Sequence, residues 1–198
     1  KGKCEMSEHE DFSFAEYQQT FFYNANGPIP VVIGQLEALL TEIVLSATAE
    51  SKLPSYKLLV QGLGGLRVSI LVAQAGASIQ VPSILRHALE SIIYANLFYH
   101  SPDWYSSWRD RHSSRSEKSK FRRHGLKEAK KALASTNLLE SFDSLYDLLI
   151  DAGAHPNIMG VESSIAYQKI EGNKYIVENR LLSSQEDKNK SLYLIGLT

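Results

Sequence analysis

Val81–His100, VPSILRHALESIIYANLFYH, is the stretch on which the fold of this chain turns. At 100° per residue, Val81, Ile84, Leu85, Ala88, Leu89, Ile92 and Tyr99 fall on one apolar arc. Ile93 and Leu97 widen that arc beyond the stripe a surface helix needs, so the spacing predicts one largely buried helix. Arg86 stands at the border of the arc, and Glu90 follows one turn later. An arginine among so many Leu and Ile side chains must keep its head in water or find a partner, because an unpaired buried charge is costly.

Toward the N-terminus the periodicity predicts two more helices. From about Pro54 to Ala77, Leu59, Leu63, Leu66, Ile70 and Ala73 make a stripe. From Ile29 to about Glu50, Val32, Leu36, Leu39, Leu40, Ile43 and Ala47 recur at 3–4 spacing, with Pro28 and Pro30 suited to the first turn. Gly62, Gly64 and Gly65 interrupt the first of these, each at roughly 1 kcal/mol relative to Ala. A phosphate-cradling loop would need a strand before them and GK[ST] after, and neither is present. Close approach of a neighbouring helix, or a local kink, is the reading adopted. Residues 1–27 carry Phe12, Phe14, Tyr17, Phe21, Phe22 and Tyr23, enough apolar surface for an arm or short helix packed on the core.

Toward the C-terminus, Ser101-Pro102-Asp103 has a cap-like signature before Trp104, Tyr105 and Trp108. A charge asymmetry follows. Arg109–Lys131 holds ten basic residues against Asp110, Glu117 and Glu128, a net of +7, and the rest of the chain is left with a net of −8. One reading is a solvated loop and helix start, continuing through Leu126 and Leu133 to about Ala134. The other is an anion or nucleic-acid patch made by Arg109, Arg111, Arg115, Lys118, Lys120, Arg122, Arg123 and Lys127. Phe121 is the lone interleaved aromatic, which argues against stacking on single-stranded bases.

Ser135-Thr136-Asn137 reads as a helix cap, with Glu140 in the capping-box position. Leu138, Phe142, Leu145 and Leu149 follow at 4-3-4 spacing, and Gly153 is a natural stop. Asp143, Asp147 and Asp151 form an acidic ridge. Asp151 opposes the helix macrodipole, so it is expected to be exposed or to have a specific donor. His155, held by Pro156 just past the helix end, could serve as a general base, a ligand or a core hydrogen bonder. Metal binding by His155 with Asp151 and Asp147 has no HExxH-like spacing behind it. SIAYQKIEG and NKYIVENRLLS read as two strands around Gly172-Asn173, and Ser184 and Asp187 start a final helix.

The totals exclude several classes. A chain of 198 residues with 43% hydrophobic and 22% charged content suits one soluble domain with a sizeable core, or a domain with an appended hairpin, and a net charge of −1 gives no general affinity for nucleic acid or anionic membrane. Cys4 is the single cysteine, which rules out an intrachain disulfide and a cysteine-based zinc site and fits a cytoplasmic protein. The longest apolar runs carry Glu37 and Glu42, or Arg67, so none resembles a membrane span. The start, KGKCEMSEHEDF, is too acidic and polar for a signal peptide. Beginning at Lys1 and ending within an apolar pattern, the chain reads as a piece of a longer protein.

With the Leu85-Arg86…Glu90 helix and Leu148–Pro156, LLIDAGAHP, in hand, the chain resembles a broad group of bacterial helical proteins related to the HEPN-like superfamily. The shared pattern is a buried helix with L-R-x-x-x-E and a later helix ending in small residues and His-Pro, here Arg86, Glu90, His155 and Pro156. Relatives often carry a Ser where this chain has Asp151. Catalytic HEPN ribonucleases carry Arg, four to six residues, then His on one helix; no histidine here has an arginine at that distance. The resemblance implies an all-α core, a bacterial stress or defence setting and a homodimer. It does not carry nuclease activity across.

The expected fold is mainly α, a bundle of four to five long helices with a small C-terminal β-hairpin. Residues 1–27 are expected to be an N-terminal arm or short helix, 28–157 the bundle and 158–198 the hairpin and the start of a further helix of the same domain. The leading functional expectation is a non-catalytic binding or regulatory module without a cofactor or a membrane. The competing one is an RNA-cleaving or phosphoryl-transfer enzyme, with His155 as general acid or base and Arg86, Glu90 and Asp151 around it. Convergence of those four side chains on an open cleft, or their closure into a polar network, separates the two.

Overall fold

In a computed structural model, Val81–His100 forms one 20-residue helix at the centre of the chain. The residues described are 19, 23–24, 27–28, 30–46, 53–134, 137–154, 165–169, 175–179 and 185–197. They form α1 (Val31–Leu45), α2 (Leu53–Ala75), α3 (Val81–His100), α4 (Asp103–Asp110), α5 (Arg115–Ala134), α6 (Leu139–Leu149) and α7 (Gln185–Leu197). Helix α3 touches α2, α4, α5, α6 and α7. That arrangement explains why its apolar arc is so wide. Val81, Leu85 and Ile93 are among its fully buried side chains. Tyr99, expected on the arc, is 43% exposed, although Leu97 and Phe98 in the same turn are buried.

The closest pairing is α2 on α3, and two of the three glycines make it possible. A Cβ on Gly65 would lie 2.9 Å from Ala88 Cβ, and one on Gly62 would lie 2.8 Å from Ile92 Cγ1 and 3.3 Å from the Ala88 carbonyl oxygen. The close-approach reading therefore holds for both. Gly64 points the other way, with nothing within 4 Å of its would-be Cβ. Helix α2 is long and apolar enough to cross a membrane by length and composition, with a mean hydropathy of 1.5, although Arg67 had seemed to exclude this. Half of that window is buried inside the fold, as in a core helix.

The expectation of a bundle with a C-terminal β-hairpin is corrected: the fold is all-α. Every residue of the main hydrophobic cluster lies on a helix, from Ile33 on α1 to Ile195 on α7, and no strand enters the packed body of the described residues. Ile165–Lys169 and Tyr175–Asn179 have extended backbone in antiparallel register, Ile165 opposite Asn179, and their substantial contacts are with each other. Two strands without a third, or a helix laid on them, are marginal in water. The alternating sequence thus gives local extension and no layer of the fold. Gly172-Asn173 lies outside the described residues.

Two local expectations fail at α6. Its N-cap residue is Leu138, with no side-chain cap hydrogen bond, and Asn137 sits just before it in the left-handed region at φ 56°. The capping box is therefore not formed, and Leu138 is 55% exposed. At the other end the chain does not stop at Gly153 but widens into a π-helical turn, Ile150–Ala154, packed against α3.

Candidate functional site

Arg86, Glu90 and Tyr94 recur every four residues, which puts them on one side of α3. On α6, Tyr146 lies one turn after Phe142 and stacks with it at 5.5 Å between ring centres. The two helices meet through these groups. Arg86 Nε donates to Glu90 Oε1 at 3.1 Å and to the Tyr146 hydroxyl at 3.2 Å. A terminal guanidinium nitrogen donates to the same hydroxyl at 2.9 Å. The hydroxyl in turn donates to Glu90 Oε1 at 2.7 Å. One donor and two lone pairs are what a phenol has, and all are used.

The electrostatics follow from these contacts. Burial alone would lower the pKa of Arg86, but the Tyr146 hydrogen bonds and the Glu90 charge outweigh it and raise the value, so the cation is held firmly. Burial, then the Glu90 carboxylate, pushes the Tyr146 phenol up. Tyr94 goes from 10.0 to about 12, first through burial and then through Glu90. Arg86 also packs on the Tyr146 ring, 5.1 Å from its centre. Lys130 lies 5.6 Å from that ring centre and is ion-paired with Asp143 at 2.6 Å.

Of the four residues proposed from sequence, the structure brings Arg86 and Glu90 together and adds Tyr146. Asp151 is exposed on the π turn, as its position against the macrodipole predicts. His155 and Pro156 lie outside the described residues. Among the described residues, no group of three His, Cys, Asp or Glu side chains is placed to hold a metal ion. Tyr146 was missed because its one sequence signal is its four-residue spacing from Phe142, the ordinary pattern of a core helix.

The basic run is helical from Arg115 onward, as expected for its later half, and its first half is not the loop expected there. Asp103–Asp110 and Arg115–Ala134 take up nearly all of it. Lys, Arg, Glu and Ala are good helix formers, and Phe121, Gly125 and Ala129, buried at four-residue spacing, seat α5 on the body. Aromatic groups fasten its start: Tyr94 meets Phe121 at 5.1 Å, and Trp104 meets it at 6.4 Å. Arg111 lies over Trp108 at 4.8 Å and over Phe121 at 5.5 Å. Arg109 is paired with Asp110 at 2.7 Å. Lys120 donates to the Ser107 hydroxyl at 2.9 Å. Arg115, Lys118, Arg122, Arg123 and Lys127 are exposed and make no ion pair among the described residues. Compared with known proteins, the chain matches no family, no curated protein and no solved structure, and nothing in those comparisons links it to the HEPN-like superfamily.

Proposed function

We propose that this chain is a non-catalytic binding module in which Arg86, Glu90 and Tyr146 tie α3 to α6. One observation supports that reading: among the described residues, four hydrogen bonds join the guanidinium, the carboxylate and the phenol across the contact of α3 with α6. An arginine that stabilised a developing phosphate charge would present free donors to it. Here Arg86 Nε and one terminal nitrogen donate within the protein, to Glu90 and Tyr146. The HEPN-like resemblance adds a bacterial stress or defence setting and a homodimer to the proposal, the latter measurable by analytical ultracentrifugation.

The test is a thermodynamic cycle with an activity control. The Arg86 and Glu90 side chains are 22% and 28% exposed, so water re-solvates part of whatever a mutation strands. Glu90→Ala is therefore expected to cost about 1–3 kcal/mol, below the figure for a fully buried pair. Tyr146→Phe is expected to cost about 1–2 kcal/mol, since it removes bonds to two charged groups while keeping the ring. Either loss should shrink in an Arg86→Ala background. Losses under about 0.5 kcal/mol with additive doubles would mean a solvated surface pair. RNA cleavage abolished by Arg86→Ala in a folded variant would replace this reading with the enzymatic one.

A further inference from the structure

The face of α5 turned away from the body carries a row of cations. Lys120, Arg123, Lys127 and Lys131 follow at 3-4-4 spacing, which keeps them within one side of the helix. All four are exposed. At 1.5 Å per residue the row runs roughly 16 Å. Arg115 and Arg122 flank it on the other border. The acids of α5, Glu117 and Glu128, are only half-exposed and pair sideways, with Lys120 at 3.8 Å and Lys131 at 2.7 Å. The row itself carries no carboxylate.

We infer that this face of α5 binds the phosphate backbone of duplex nucleic acid without reading its sequence. Three observations favour that partner. The cations repeat along a straight line, and a duplex presents one negative charge per roughly 1.7 Å of its axis. No large hydrophobic side chain of α5 is exposed, so the face has nothing to insert into a bilayer. Its one aromatic residue, Phe121, is buried, which removes a platform for unpaired bases. The acidic remainder of the chain, net −8 outside Arg109–Lys131, would orient this face toward a polyanion and keep the others away. The inference rests on the binding-module reading and supplies its partner.

The experiment is fluorescence anisotropy of a short labelled DNA duplex of mixed sequence, titrated with the full chain at several salt concentrations. Four phosphate contacts predict a log–log salt slope of about −3.6, hence roughly a hundredfold loss of affinity between about 50 and 200 mM salt. Arg123→Ala with Lys127→Ala should flatten the slope by about 2 and weaken binding equally for unrelated sequences. Arg123→Glu with Lys127→Glu should abolish binding, and Lys57→Ala, on α2, should change nothing. Both α5 positions are exposed, so circular dichroism melts should match the unmutated chain. The inference is overturned by no binding at low salt, by binding that survives the charge reversal, or by anionic phosphatidylserine vesicles binding where the duplex does not. It is equally overturned if the row instead holds a second copy, seen as self-association that the charge reversal removes. None of these results bears on the Arg86 cycle, so the two readings fail separately.

Discussion

The three glycines of α2 allow one stretch of helix to be tested against itself. Gly64→Ala places a methyl in open space, so it should gain the helix-propensity difference, about 0.4–1 kcal/mol. For a chain of this size that is a rise in Tm of roughly 1–4 °C. Gly65→Ala has the same propensity gain but sets its Cβ 2.9 Å from Ala88 Cβ and 3.5 Å from Ala88 Cα. Carbon atoms prefer about 3.5–4.0 Å. Neither partner can rotate away, because both belong to the backbone or the first side-chain atom of α3. The helices must part by several tenths of an ångström along their closest contact, and overpacking of that kind costs about 1–3 kcal/mol. A net loss of roughly 0.5–2 kcal/mol follows. Gly62→Ala should behave similarly, since Ile92 Cγ1 at 2.8 Å sits on a β-branched side chain and the Ala88 carbonyl at 3.3 Å is fixed. Urea unfolding followed by far-ultraviolet circular dichroism gives the order directly. A cycle pairing Gly65→Ala with Ala88→Gly should show favourable coupling, because the second change removes the methyl that the first one meets. If Gly65→Ala proves as stable as Gly64→Ala, α2 and α3 are not in the contact described, and the core built on that contact is wrong.

Two further outcomes follow from burial. Tyr94 titrates at about 12 when folded against 10.0 when exposed, so above pH 10 the unfolded chain loses its proton first. Stability from this group is full below pH 10 and falls as pH rises toward 12; Tyr94→Phe should lessen the decline seen in alkaline unfolding curves, and an unchanged decline would mean that the ring is solvated. Ile195 on α7 is 1% exposed, and Ile195→Ala is expected to cost about 2–5 kcal/mol in thermal unfolding. A loss under about 0.5 kcal/mol would place α7 outside the core.

Helical class was legible in the sequence because it depends on periodicity, which is local. The apolar arc of Val81–His100 and the stripe around Leu63, Leu66 and Ile70 needed no knowledge of neighbours. Arg86 could be marked for a partner for the same reason, since an arginine beside Leu85 and Leu89 has few ways to avoid an unpaired charge. Who that partner is was a different matter. Glu90 is four residues away, but Tyr146 is sixty away and only the packing of α6 on α3 brings its hydroxyl to 2.9 Å. The alternation around Tyr167 and Val177 likewise specified extended backbone but could not say whether anything packs on it. The first half of the Arg109–Lys131 run read as a solvated loop because charge dominates its composition, whereas contact of Phe121, Gly125 and Ala129 with the body carries the helix back to Arg115 and leaves Lys120, Arg123, Lys127 and Lys131 on one open face. Local spacing fixes which side chains share a face of one element. Only tertiary packing decides what that face meets, since the deciding contacts join residues far apart in the chain.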